Sequence, residues 1–264
     1  MNYDYWKQQQ SDTPLFPEIE WGKPEQRAMR GRLGIIGGNK LGFAGVANAY
    51  STALTAGAGE VRALIPDALR ATIPKTITDT RFSASNPSGS FAADALPDMH
   101  ALGAWANGIL LIGDAGRNSE TAVLYERFIN EYQGQLTLTR DAVDLIKHNA
   151  NSIIDRPNTL LVVSFAQLQK LFQAMYYPKI LTFSMQLGMF VEALHKFTIT
   201  YPCTIAVLHS DHLVVAYNGE VITTTWRNPM AIWRGSVAGR AATYLLWTPE
   251  KPLQATATSL VTTN

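Results

Sequence analysis

The sequence predicts an α/β fold: a mostly parallel sheet between two layers of helices, with an antiparallel edge near residues 204–225. Three observations predict it. Residues 33–66 read as strand, glycine turn, helix, glycine turn, strand, which is a βαβ unit. Short apolar runs at 109–112 and 159–163 then alternate with helical stretches, the pattern of a sheet covered on both faces. Strand-like runs at 204–208, 213–216 and 221–225 lie only a few residues apart, as in hairpins.

Residues 1–30 lack periodicity but carry Tyr3, Tyr5, Trp6, Phe16 and Trp21 around Pro14 and Pro17. They are expected to form an irregular aromatic arm, anchored to the body or to a neighbouring subunit; an aromatic ligand platform is the alternative. Residues 31–264 then form a single domain. Eight of the chain's 19 glycines fall between Gly31 and Gly59. The run 33–36 ends at Gly37-Gly38, and an Ala-rich helix over 44–55 presents Val46, Ala49, Ala53 and Ala56 as a small, flat face. Gly57-Ala58-Gly59 closes that helix, and 61–65 returns as a strand before Pro66.

Between 67 and 104 the pattern gives a short helix at 67–71 and a polar, exposed loop at 83–90. The strand at 109–112 runs into Gly113-Asp114-Ala115-Gly116-Arg117-Asn118 and a helix over 119–132. A strand at 136–139, a helix at 140–148, a strand at 159–163, and helices around Leu168, Leu171, Phe172 and Met175 and over 185–195 follow. Asn218-Gly219 is a strong type I′ hairpin signal between the last two strands. Gly235-Ser236 opens a helix over 237–247, and a final helix follows Pro252.

Formal net charge is +1 with no basic block, which gives no electrostatic support for nucleic-acid binding. Only 16% of residues are charged, and together with the aromatic arm this points to a surface covered by further copies, a homo-oligomer. The single Cys203 suits a reducing compartment. The N-terminus lacks a signal-peptide core and no run approaches about 18 apolar residues, so the expectation is a cytoplasmic protein with no membrane partner.

Several specific chemistries fail on spacing. Gly37-Gly38-Asn39-Lys40 is not a dinucleotide fingerprint, and Leu41 after Lys40 breaks a Walker A loop. No H-E-x-x-H, C-x-x-C or G-x-S-x-G occurs, so no metal site is expected and no nucleophile elbow is present. His209-Ser210-Asp211-His212 reads as a polar hairpin tip. Three glycine-bearing turns stay in view: those after Ile36 and Ile112, and the one before Val237. Such turns gather at the carboxyl ends of parallel strands and face backbone N–H groups toward an anion, although tight packing alone would also explain them. Asp114 is either a catalytic carboxylate or a turn former.

The order of motifs resembles the NAD(P)H-hydrate dehydratases, the ribokinase-like proteins related to the C-terminal part of YjeF-type repair enzymes. The likeness rests on Gly34-Ile35-Ile36-Gly37-Gly38-Asn39, then Gly42-Phe43-Ala44-Gly45, then Ala56-Gly57-Ala58-Gly59-Glu60-Val61. Later, Leu111-Ile112-Gly113-Asp114-Ala115-Gly116 lies where the family has Gly-Pro-Gly-Leu-Gly, and Asp141 where it has Asp-Ala-Asp-Ala. Asn228-Pro229-Met230-Ala231 is similar to its Asn-Pro-Gly-Met-Ala, and Gly235-Ser236-Val237-Ala238-Gly239 to its anion hole. The resemblance implies a ribokinase-like domain that takes ATP or ADP, with Mg2+, to dehydrate NAD(P)H hydrate by phosphoryl transfer and elimination. It implies nucleotide-facing groups at Gly113, Asp114, Gly116, Asn118, Arg234, Gly235 and Ser236. It implies substrate-facing groups at Gly38, Asn39, Phe43, Ala44, Gly45 and Asn228.

This chain departs from the family where the chemistry is done. The position of the family's catalytic Asp falls on Val237, or on Gly235 if a gap is allowed, and neither is a base. The family's Thr-Pro-His appears as Val163-Ser164-Phe165 and its Lys-Gly as His209-Ser210, while Trp233 and Arg234 replace small residues. Three readings follow. The first is a weakened dehydratase using Asp114 or Asp141, the second an inactive nucleotide-binding or assembly protein, and the third a small-molecule kinase of the same fold.

Overall fold

The computed structural model describes residues 3–74, 76–113, 116–228 and 230–261. In chain order its elements are β1 (Trp6–Gln9), α1 (Glu18–Trp21), β2 (Arg32–Ile36), α2 (Ala44–Ala56), β3 (Glu60–Pro66), β4 (Thr80–Ser83), α3 (Leu96–Trp105), β5 (Gly108–Leu111), α4 (Ser119–Glu131), β6 (Gln135–Thr139), α5 (Asp141–Ile146), α6 (Asn151–Ile154), β7 (Thr159–Ser164), α7 (Phe165–Ala174), α8 (Leu187–Thr200), β8 (Thr204–His209), β9 (His212–Tyr217), β10 (Glu220–Thr225), α9 (Met230–Trp233), α10 (Ser236–Trp247) and α11 (Pro252–Ser259). One sheet holds all the strands in the order β1-β10-β9-β8-β7-β6-β5-β2-β3-β4. From β8 to β4 every pairing is parallel, and β8-β9 and β9-β10 are antiparallel. The expected mostly parallel sheet with an antiparallel edge is therefore the observed one.

Alternation along the strands sends side chains to two cores. Leu136, Leu138, Leu161 and Val163 meet one helical layer through Leu124, Phe128, Leu168 and Phe190. Leu110, Ile112, Leu160 and Val162 meet the other through Val46, Ala49, Ala238 and Ala241. The β9–β10 turn has Asn218 at φ 48° and Gly219 at φ 79°, as a type I′ turn requires.

Several elements differ from the sequence expectation, among them the unexpected β4 and α6. The N-terminal segment is not wholly irregular: β1 adds in parallel to β10, with Trp6 opposite Val221 and Gln9 opposite Thr224. Tyr5 stacks on His195 at 3.7 Å, so these aromatics anchor the segment to the body. A helix, α3, occupies 96–105 where none was expected. The loop at 83–90 is only partly exposed, because Ser83, Asn86 and Ser90 are buried and hydrogen-bonded. The hairpin tip at 209–212 forms, with His209 opposite His212 across Ser210-Asp211, but His209 is not an exposed part of it. It is buried at the end of β8, in hydrogen-bonding contact with the Met185 carbonyl at 2.9 Å and stacked on Phe165. Among the described residues no helix is long and apolar enough to cross a membrane.

Candidate functional site

Parallel strands deliver their C-terminal ends to one rim, and the glycine turns meet there. Gly37, directly after β2, lies so close to the β5 turn that a Cβ on it would stand 2.5 Å from the Ile112 carbonyl and 3.0 Å from that of Gly113. Gly113 in turn packs on Asp141 and Arg140 at the end of β6, leaving no room for a side chain. From the other face α10 brings Gly235 against the Ile112 side chain and the Gly45 carbonyl. Three turns far apart in the chain thus form one continuous surface.

At that surface α10 is the element best placed to hold an anion. Gly235 adopts φ 84°, a left-handed conformation, and no side chain caps the helix. The first backbone bond of the helix runs from the Gly239 N–H to the Gly235 carbonyl at 2.9 Å, so the N–H groups of the first turn stay outside the helical ladder. Trp233 and Arg234 are both exposed. Ser236 is half-buried at the helix start.

The residues on the opposite wall are built in more rigidly than their sequence positions suggest. Gly38 takes φ 97° beneath Phe43 and Leu69. Asn39 is buried; its Nδ2 donates to Ser90 Oγ at 2.5 Å and to the Ser88 carbonyl at 3.2 Å, while its Oδ1 accepts from the Leu41 N–H at 2.9 Å. Ala44 and Gly45 open α2, behind a half-buried Phe43 that offers no side-chain cap. Asn228 is exposed, and its carbonyl accepts from the Trp226 indole at 2.6 Å.

Asn118 caps α4, its Oδ1 accepting from the Glu120 and Thr121 N–H groups at 2.9 and 3.2 Å. Its Nδ2 donates to Ser88 Oγ at 3.1 Å. Gly116, at φ 71°, passes directly over Asn39 and Ser90. The Ser-rich loop is therefore the strut that ties the β5 turn to the β2 turn, a role its composition did not announce. Asp114 lies outside the described residues. Asp141 is half-buried at the start of α5 and borders a cleft of about 380 Å³ together with Gly116 and Asn118. Beneath it the Tyr125 phenol is held well above its ordinary pKa, first by complete burial and then by the Asp141 charge.

The expected base positions carry no titratable group: Gly235 has no side chain, and Val237 is 5% exposed within the core. Among the described residues no three His, Cys, Asp or Glu side chains gather as a metal site.

No protein-family model matches the sequence, and no curated protein matches it. Solved structures do. A ribokinase-like superfamily protein from Enterococcus faecalis superposes with a TM-score of 0.72 at 15% identity, over 97% of this chain and 86% of that one. A hypothetical protein from Streptococcus mutans gives 0.72 at 13% identity, over 94% and 87%. An ADP/ATP-dependent NAD(P)H-hydrate dehydratase from Bacillus subtilis, co-crystallised with ATP/Mg2+ and soaked with CoA, gives 0.61 at 10% identity, over 93% and 85%. Identity this low carries architecture and not activity. The chain has the ribokinase-like α/β/α fold.

Proposed function

We propose that this chain binds an adenine nucleotide, ATP or ADP, on the glycine-lined rim, and that it does not dehydrate NAD(P)H hydrate by the general-base route. One observation carries the reading: α10 presents an uncapped first turn behind Gly235, while both positions where a base is expected, Gly235 and Val237, are without one. That combination favours binding of a phosphoryl group over its transfer.

The fit to a nucleotide rests on that first turn; Gly37, Gly113 and Gly235 pack on the chain's own atoms and so bring the three turns together around it. N–H groups of Ser236 and Val237 would face a phosphoryl oxygen, and Arg234, exposed beside them, would supply a cation. Mg2+ would neutralise charge on the phosphates, and no cage of protein carboxylates is needed for that. Phe43, Ala44 and Gly45, at the start of α2, would form the facing wall. Loss of a general base costs about 10²–10⁴ in rate, so turnover by that route would be poor while nucleotide binding need not suffer.

Two measurements test this. Thermal shift with ATP or ADP, with and without Mg2+, should raise the melting temperature. Incubation with NADH hydrate and either nucleotide should give no recovery of reduced-nicotinamide absorbance above the uncatalysed control. Recovery would favour the second reading, a residual dehydratase with Asp141 as its base, which is motivated by the packing of Asp141 on Gly113; Asp141→Asn should then abolish it. We also infer a cytoplasmic homo-oligomer, on the low charge and on the exposed Tyr176, Ile180 and Phe183, with sedimentation as the check.

A further inference from the structure

The cleft beside the rim, about 380 Å³ in volume, lies between the loop leading into α4 and the group formed by α5, the turn Lys147–Asn149 and α7. Four basic side chains line it: Arg117, Lys147, His148 and Lys170. Two carboxylates, Asp141 and Asp144, line it as well. Asp144 is already satisfied, accepting from Lys170 Nζ at 3.2 Å and from Gln167 Nε2 at 2.9 Å. Among the described residues Arg117, Lys147 and His148 have neither an ion pair nor a side-chain hydrogen bond. Three cations against two carboxylates leave the cleft positive.

Ordinary surface lysines and arginines point apart into solvent and gain nothing from convergence. Here unpaired cations from two separate segments border one concavity of small-molecule size. We propose that this cleft holds a phosphate group of a small-molecule ligand, with Arg117 and Lys147 as its principal partners. A phosphate accepts several charge-assisted hydrogen bonds at once, and a guanidinium beside an ammonium supplies them from two directions. Asp141 opposes the ligand's charge, so the site should take a compact phosphate in preference to a densely charged polyanion. The inference rests in part on the nucleotide reading, because Gly116 and Asn118 belong both to this cleft and to the rim. Arg117 sits within the Gly113–Asn118 turn that suggested that reading, whereas Lys147, His148 and Lys170 stand outside its motifs.

The test is calorimetric titration of the full chain with inorganic pyrophosphate and, separately, with ADP. Arg117→Glu combined with Lys147→Glu should weaken pyrophosphate binding by about tenfold or more. Lys251→Glu, an exposed reversal just before α11, should leave it unchanged. If the double reversal does not fold, Arg117→Gln with Lys147→Gln asks the same question without introducing charge. No pyrophosphate binding by the wild type, or equal weakening by Lys251→Glu, overturns the proposal. Ser236→Glu places a repelling carboxylate at the α10 start without touching the cleft. ADP binding weakened by Ser236→Glu and untouched by the cleft variants leaves the rim reading standing and defeats this one. ADP binding weakened by the cleft variants alone does the reverse.

Discussion

Gly235 lies against Ile112 with no space for a Cβ between them, and the same Cβ would stand 3.1 Å from the Gly45 carbonyl. This contact joins α10 to the end of β5 and the start of α2, and it fixes what the rim can become. A catalytic carboxylate cannot be restored at Gly235 simply by mutation. Its φ of 84° costs a side-chain-bearing residue about 1–3 kcal/mol, and overpacking against Ile112 adds about 1–3 kcal/mol more. Gly235→Asp should therefore lower stability by about 2–6 kcal/mol, a fall of roughly 4–24 °C in melting temperature. It should give no dehydration of NADH hydrate. A variant that melts with the wild type would show that Ile112 yields easily and would reopen the position as a base.

Much of the architecture was legible because it is local. The βαβ unit at 33–66 announced itself through Gly37-Gly38 and the small face of α2, and the edge hairpin through Asn218-Gly219. What escaped was stabilised by something other than an apolar stripe. α3 reads LPDMHALGAW, with Pro97 in its first turn and apolar side chains on several faces, so no period stands out. β1 reads WKQQ and β4 reads TRFS, and neither alternates. Of the site, the glycine turns could be named from the sequence. Their gathering at the strand ends was expected as well; their direct contact was not, since it depends on β2 and β5 being neighbours although 71 residues lie between the end of one and the start of the other.

β1 illustrates a strand held by hydrogen bonds rather than by hydrophobicity. Gln9 is buried at its end, with Nε2 donating to the Ala257 carbonyl at 2.7 Å and to Thr224 Oγ1 at 3.1 Å, and Oε1 accepting from the Leu15 N–H at 3.1 Å. Gln9→Ala leaves these partners unsatisfied and should cost about 1–3 kcal/mol. Amide exchange should speed up first in β10, whose outer edge β1 covers. Uniform acceleration across the whole sheet would instead mean that β1 unfolds only with the rest of the molecule.

Cys203 sits wholly buried between α8 and β8, and burial pushes its thiol up to about 12. The folded thiol is thus harder to ionise than the unfolded one. Below the unfolded value, about 8.5, both states keep the proton and pH has no effect through this group; above it the unfolded chain ionises first and stability falls. A thiol reagent at pH 8 should label native protein only as fast as the chain opens, with the rate rising through the denaturant transition. Rapid labelling of the native protein would place this thiol at a reachable surface.

Asn39 connects the two walls of the rim through three hydrogen bonds. Its Nδ2 reaches Ser90 and Ser88 in the strut loop, and its Oδ1 closes the turn at Leu41, directly below Gly116. Asn39→Ala should cost about 2–4 kcal/mol, since a buried hydroxyl and a turn N–H lose their partners together. Asn39→Asp preserves the acceptor for the Leu41 N–H but removes both donors, so Ser90 and Ser88 should loosen while the turn holds. If the strut positions the nucleotide-facing loop, ADP affinity should drop in both variants, by about tenfold in the alanine variant, measured at a temperature where each is fully folded. Equal ADP affinity in all three proteins would leave Asn39 a purely structural residue and would detach the strut from ligand binding.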